Sequence, residues 1–378
     1  MTDPIDQPTD SADPSVRQSH FPCVQCGAKL LFAPGTSSLK CPYCGADNVI
    51  AQSAQAVEEL DYHAALRQVA QAADLQDRVT IRCPSCAAET TLDPNVSADA
   101  CPFCGSPVVT EGAASKVIKP KALLPFYVTQ EQADRQFRQW IAGLWFAPSK
   151  LKRLGRKEVS LSGIYVPYWT YDSNTTSDYT GQRGEYYWVT ETYTTFVNGK
   201  SVIRTRQVRH TRWYPAAGTV RNRFNDILIL AARSLPQKCT EKLEPWDLQN
   251  LVPYADEYLS GFRAETYQVQ LAEGFEIAKE IMDDAIRQSI RSDIGGDEQR
   301  IHSVRTRYDD ITFKHLLLPI WISAYRYKDR VFRFLVNART GEVQGQRPWS
   351  AVKIVLLILA ILAAIAATVA LIAASHGR

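Results

Sequence analysis

The alternation of apolar and polar positions divides the 378-residue chain into stretches of different period. Residues 354–374 are apolar without interruption except at Thr368. At about 1.5 Å per residue, a helix of that length spans roughly 32 Å, close to the thickness of a bilayer core. The run has no polar face, as a surface helix of a soluble protein would have, so it predicts one transmembrane helix. Two other stretches repeat at helical spacing. Ala133, Phe137, Trp140, Ile141, Leu144 and Trp145 recur behind Thr129, an N-cap candidate with Gln132 as capping-box partner. Ala278, Ile281, Met282 and Ala285 fall on one face of a second helix, with Gly295 past its end. Residues 53–77 hold no Gly or Pro and are rich in Ala, Gln, Glu and Leu, so the linker 51–80 is expected to be helical. Val57, Leu60 and Ala64 are its candidate apolar stripe.

The remainder of residues 120–350 is aromatic and reads as strands. "GIYVPYWTYDS" and "LLLPIWISAYRY" share a P-x-W core at residues 167–169 and 319–321. "RVFRFLVNARTGEVQGQRP" predicts two strands joined near Thr340 and Gly341. Asn198-Gly199 between two β-branched runs is the strongest short-range hairpin signal. A two-residue turn there sets Val197 opposite Lys200. It then sets Glu191 opposite Arg206, Glu185 opposite Arg212, and Trp188 opposite Arg209.

Charge adds one local feature. The formal net charge is +3 and 22% of residues are charged, which identifies no partner. Yet the stretch from Lys200 to Arg223 holds six arginines, one lysine and no acid. Such a stretch can bind lipid head groups or nucleic acid, or form a solvated strand face. The hairpin register opposes two of the arginines with glutamates, and the predicted anchor favours lipid or a protein partner over nucleic acid. Residues 1–20 are acidic and rich in Pro, Ser and Asp, with no apolar core, so they predict a disordered tail and not a signal peptide. Arg339, Arg347 and Lys353 precede the apolar run and Arg378 follows it. This bias predicts a single-pass, tail-anchored protein of the bacterial inner membrane with its N-terminal bulk in the cytoplasm.

The cysteines carry the chemistry. Cys23-x2-Cys26, fourteen residues, and Cys41-x2-Cys44 form one unit at 21–50. Cys83-x2-Cys86, again fourteen residues, and Cys101-x2-Cys104 form a second at 81–110. The offset is 60 throughout, and it also maps Pro34 on Pro94, Pro42 on Pro102, Tyr43 on Phe103 and Gly45 on Gly105. The chain therefore carries an internal duplication. Two thiolates three residues apart reach one ion from a tight turn, and two such turns complete a tetrahedron. Four protein ligands leave no position for substrate, so the two expected Zn²⁺ ions are structural. The same thiolates would also hold iron. In a reducing compartment, disulfides are not the expected use of this pattern. Cys239, outside both units, reads as an ordinary thiol.

No enzymatic constellation accompanies them. "NGKS" at 198–201 ends like a phosphate-binding loop, but Thr194 stands where the first glycine belongs. Neither an HExxH nor a GxSxG motif occurs. Asp283-Asp284 and Asp309-Asp310 are adjacent acidic pairs that read as solvated surface.

The units resemble zinc ribbons of the rubredoxin-like class. With "LPFYV", "GIYVPYWTYD", "LPIWISAY", "VNARTGEVQGQRP" and the terminal apolar run, the chain resembles a bacterial family of tandem zinc-ribbon membrane proteins. That resemblance implies a non-enzymatic adaptor beside SPFH (flotillin-like) and phage-shock-A-like partners, in membrane organisation or envelope stress. The ribbons also resemble those of primosomal replication-restart helicases, which leaves a membrane-tethered nucleic-acid-binding protein without helicase activity as the alternative. The expected fold class is α+β: two small tandem zinc ribbons, a β-rich aromatic domain with a few helices over 120–350, and one transmembrane helix over 354–374.

Overall fold

A computed structural model describes residues 21–51, 57–71, 75–82, 89–91, 98–100, 107–109, 113–148, 161–197, 200–327, 330–347 and 349–376. The predicted tail 1–20, the turn at Asn198-Gly199, and Cys83, Cys86, Cys101 and Cys104 lie outside the described residues.

The first cysteine unit is a three-stranded antiparallel sheet of β1 (Leu31–Phe32), β2 (Ser38–Lys40) and β3 (Asp47–Val49). In β2 and β3, Ser38 pairs with Val49 and Lys40 with Asp47. Sixty residues on, strands Ala98–Ala100 and Pro107–Val109 pair in the same register, Ala98 with Val109 and Ala100 with Pro107.

The linker 51–80 is not the single helix its composition predicts. Leu60 and Asp61 form a short strand, β4, and α1 covers Tyr62–Gln71. Leu75–Arg82 is again a strand, paired with Ala113–Ile118. The reason is tertiary. Leu60 and Asp61 pair with Phe313 and Thr312, whose open strand edge offers partners that a helix cannot use. The buried face of α1 is Tyr62 and Ala65, with Tyr62 on the Phe275 ring, and not the Val57–Leu60–Ala64 stripe.

The main sheet gathers β5 (Ala122–Leu123), β6 (Ser162–Val197), β7 (Lys200–Leu230), β8 (Val252–Pro253) and β9 (Glu298–Tyr327) in the order β7-β6-β9-β5-β8. β10 (Arg330–Asn337) pairs with β9, and β11 (Val343–Gly345) with β10. β6 has 36 residues, so it reaches about 120 Å where ordinary strands have roughly 3–10 residues. Bulges relieve its register near Tyr171–Ser173, Asp172–Asn174 and Thr180–Gly181. Asp226 and Asp310 stand in the left-handed region beside the first two, with φ of 55° and 53°. The predicted register of β6 and β7 is observed from Val197–Lys200 through Glu185–Arg212. The two P-x-W segments lie side by side, Tyr165 against Pro319 and Gly163 against Trp321.

Alternation along β6 and β9 fills both faces. Tyr165, Leu317 and Trp321 enter one core with α2 (Gln130–Gly143) and the four-cysteine unit. Ile164, Val166, Leu316, Leu318 and Ile320 enter another with Leu235, Leu243 and Trp246. Farther along, Trp169, Tyr171 and Phe313 pack on α3 (Leu271–Ile294) and Tyr62.

The helix N-cap at Thr129 forms the expected capping box, with Gln132 N–H donating to Oγ1 at 3.3 Å and Gln132 Oε1 accepting from Thr129 N–H at 2.8 Å. Of its stripe, Ala133, Phe137, Ile141 and Leu144 are buried, while Trp145 is 78% exposed beyond the last turn. The face of α3 is shifted from the expected one. Phe275, Ala278, Met282, Ile286, Ile290 and Ile294 are buried, but Ile281 and Ala285 are exposed. The 3.6-residue period follows the row through Phe275 because Tyr171 and Tyr62 meet that row. Gly295 ends the helix at φ 65°.

Beyond Gly184 and Glu298, β9 leaves the sheet, and β6 and β7 continue alone as a two-stranded ribbon to Val197 and Lys200. At the opposite end of β6, α4 (Ala351–His376) begins. Ser350 N–H donates to Phe146 C=O at 2.9 Å, and Lys353 Nζ donates to the carbonyls of Trp145 and Ala147. Ala351–Val369 is apolar and long enough to cross a membrane, with none of that window buried.

Candidate metal centre

Two tight turns bring four thiols together. In the first, Gly27 N–H donates to Cys23 C=O at 2.9 Å and Cys23 N–H to Ala28 C=O at 2.8 Å. In the second, Gly45 N–H donates to Cys41 C=O at 3.0 Å and Cys41 N–H to Ala46 C=O at 2.9 Å. The turns are copies of one another. Each needs a residue in the left-handed region after its second cysteine, and Gly27 and Gly45 supply it with φ of 72° and 75°. The hairpin of β1 and β2 spans the fourteen residues between them and turns the second knuckle back onto the first.

Cys23 Sγ lies 3.6 Å from Cys44 Sγ, and Cys26 Sγ lies 3.5 Å from Cys41 Sγ. All four sulfurs fall within 4.8 Å of one another. Tetrahedral zinc bonds of about 2.3 Å require sulfurs roughly 3.8 Å apart, so the cage fits a Zn²⁺ ion with little movement. Cys23 and Cys41 are buried, while Cys26 and Cys44 face solvent. Peptide N–H groups aim at the buried pair, Gln25 at Cys23 Sγ (3.4 Å) and Cys44 at Cys41 Sγ (3.5 Å). The Cys44 N–H brings the Cys41 thiol down to about 6. At Cys44 the Ala46 N–H works in the same sense, but the neighbouring sulfurs, Cys41 foremost, outweigh it and push the thiol up to about 12. The cage thus stabilises thiolate at its inner sulfurs before any ion neutralises the rest.

The four-cysteine unit is not a free appendage. Its β1 lies along residues 258–262 of the body, where Phe32 N–H donates to Ser260 C=O at 2.9 Å and Ser260 Oγ donates to Leu30 C=O at 2.6 Å. Phe32 sits edge-on to Tyr258 and Phe262, and Phe262 stacks on Phe126 at 4.0 Å. The knuckle tips point away from this seam, with Val24 86% and Tyr43 82% exposed.

Of the eight expected ligands, the structure brings Cys23, Cys26, Cys41 and Cys44 together; Cys83, Cys86, Cys101 and Cys104 fall outside the described residues. Cys239 is half-buried, and burial raises its thiol. Lys200 and Ser201 open a strand and not the helix that a phosphate-binding loop requires.

A charge cluster not foreseen from sequence stands at the bulges of the main sheet. The Lys314 side chain is 8% exposed and bonds Glu59 at 2.9 Å and Asp226 at 2.8 Å. Asp172 accepts from Asp226 N–H at 2.5 Å and from Thr312 Oγ1 at 3.4 Å. Burial pushes the Asp172 carboxyl up to about 6, and the Lys314 ammonium holds Glu59 below its usual range. The cluster ties the segment before α1 to the sheet. The Lys314 ammonium faces the carboxylates of Glu59, Asp226 and Asp172, a structural arrangement of one cation among several acids.

The chain is similar to "Uncharacterized protein YdjG" of Bacillus subtilis (strain 168), with 24% identity over 246 residues, 63% of this chain and 66% of that protein. The match thus covers just under two thirds of that relative's length. No family model matches the chain, and no solved structure matches it.

Proposed function

We propose that the chain is a membrane-anchored zinc-ribbon adaptor that presents two four-thiolate units to a protein partner at the cytoplasmic face of a bacterial inner membrane. One observation carries this reading: a closed four-thiol cage, braced by the body with its knuckle tips in solvent, shares the chain with a helix apolar enough to cross a bilayer. A cage with no open coordination position suits recruitment and not metal catalysis.

Several observations support the finer points. The strand pair at Ala98–Ala100 and Pro107–Val109 repeats the register of the first ribbon at an offset of 60, as a second ribbon built on Cys83, Cys86, Cys101 and Cys104 requires. Trp145 and Trp349 are exposed beside the start of α4, where an interfacial aromatic belt would sit. Arg347, over the Trp349 ring, and Lys353 are the basic flank of that helix on its N-terminal side. Arg339 contributes less to the orientation, because it pairs with Asp247 at 2.6 Å and is largely covered. SPFH-domain or phage-shock-A-like proteins are the partners that the family resemblance implies.

The test is capture of the full chain from detergent-solubilised membranes, followed by quantification of SPFH-domain and phage-shock-A-like proteins. Replacing Val24→Ser with Tyr43→Ser spares every thiol and is expected to reduce recovery about ten-fold, the effect of losing roughly 1.4 kcal/mol of binding. Cys41→Ser should do the same. Recovery unchanged in both variants would overturn recruitment by the ribbon.

A further inference from the structure

The two-stranded ribbon of β6 and β7 has two chemically different faces. Cross-strand partners share a face, so the register sorts every residue. One face carries Glu185, Glu191, Lys200, Arg204, Arg206, His210 and Arg212. Its apolar residues are half-covered: Tyr187, Val189, Tyr193 and Val202 are 38–40% exposed. Guanidinium groups lie over two of them, Arg206 over Tyr193 and Arg212 over Tyr187.

The other face carries Tyr186, Trp188, Phe196 and Ile203 among threonines, with Arg209 as its one charge, resting on the Tyr186 ring at 4.1 Å. Here the apolar side chains stand open. Trp188 is 61%, Phe196 76% and Ile203 71% exposed. A two-stranded ribbon is at best marginally stable alone in water, so this face calls for a cover.

We propose that the cover is a lipid bilayer, with the Trp188–Phe196–Ile203 face lying in the interfacial zone as a second membrane contact beside α4. Trp, Tyr and one Arg on a neutral, Thr-rich face are the residues that an interface accommodates. A second copy fits less well. The paired segment is about 44 Å long and 10 Å wide, so two such faces would bury roughly 900 Å², below the range of stable dimers. Nucleic acid would take the opposite, charged face. The ribbon begins some 75 Å along β6 from Ser162, while the start of α4 bonds the carbonyls of Trp145 and Ala147, which precede that strand in the chain; a laterally extended bilayer covers such a distance. The inference rests on the anchor reading for its bilayer, and on the ribbon faces for the contact itself.

The test places p-benzoylphenylalanine singly at Phe196, Ile203, Thr195, Val202 or Leu359 of the full chain, reconstituted in vesicles of phosphatidylethanolamine and phosphatidylglycerol. Thr195 and Val202 sit at the same depth of the hairpin on the charged face, so any loss of folding affects both sets alike. The expected result is lipid adducts from Phe196 and Ile203 at least five-fold above those from Thr195 and Val202, and unchanged by adding DNA. Chain-to-chain adducts from Phe196 and Ile203, equal yields from both faces, or no adducts from the ribbon overturn the proposal. Leu359, in α4, separates the two readings. Lipid adducts there without ribbon adducts leave the anchor and remove the ribbon contact. Ribbon adducts without any at Leu359 support the ribbon contact and overturn the anchor.

Discussion

Phe32 of the cysteine ribbon meets Tyr258 of the body edge to face, their ring centroids 5.2 Å apart at 64°. Both side chains are buried, so the ribbon and the body share one core. Phe32→Ala empties that seam while leaving every cysteine in place. The expected cost is about 3–5 kcal/mol, as for other buried phenylalanines, read as a lowered midpoint of thermal unfolding in detergent. An unchanged midpoint would mean that the seam does not contribute to stability.

Metal content follows the thiols. Full-length chain purified in detergent is expected to carry two zinc ions by elemental mass spectrometry. Cys41→Ser should leave one, and Cys41→Ser with Cys101→Ser none. A chelator that strips the first site should also lower the thermal midpoint, because the cage closes the ribbon that Phe32 anchors.

Lys314 bridges Glu59 and Asp226 in the sheet cluster. Lys314→Met leaves the carboxylates of Glu59, Asp226 and Asp172 without that ammonium in a half-buried site. The expected loss is about 3–5 kcal/mol, the range for breaking a buried pair by removing one partner. The double variant with Glu59→Gln should recover part of it, and denaturant titration of both would measure the coupling.

Asp172 gives the cluster a pH dependence. Its folded carboxyl titrates near 6, above its unfolded value, because burial disfavours the charge. Between the two values the folded state holds a proton that the unfolded state has released, so this group's contribution falls as pH rises toward and through 6. Glu59 acts in the opposite sense at lower pH. Its folded value is depressed by Lys314, so its contribution is lost as pH falls below the usual carboxylate range. Asp172→Asn keeps an acceptor for Asp226 N–H and should flatten the slope between pH 5 and 7.

Asn337 is fully buried at the turn before β11. Its Oδ1 accepts from the N–H groups of Arg339 and Thr340, and its Nδ2 donates to Leu243 C=O. Asn337→Leu removes all three bonds and is expected to cost about 1–3 kcal/mol per backbone group left unpaired, visible in urea unfolding.

What could be read from sequence was local. The Thr129 capping box, the thiol spacing of Cys23, Cys26, Cys41 and Cys44, and the β6–β7 register from Asn198-Gly199 each depend on residues a few positions apart. What escaped depends on distant partners. Glu59, Asp172, Asp226 and Lys314 converge only because two adjacent bulges aim them together, and no short-range pattern marks a bulge. Trp145 fits the helical period of the α2 stripe, yet the helix ends at Gly143 and leaves it in solvent beside α4. Phe32 reads as one residue of a hairpin strand; its role as a wedge needs residues 258–262, more than two hundred positions away.

The 36 residues of β6 also set a schedule for synthesis. Ser162 pairs with Ile322, so the start of the strand waits for a partner made much later. At about 5–20 residues per second, that delay is about 10–30 s. During it, β6 and β7 can zip through their shared turn, but the edge later taken by β9 stays open and rich in aromatics. Closure by β9 comes late in synthesis, so a nascent chain must be shielded from its neighbours until that strand has been made.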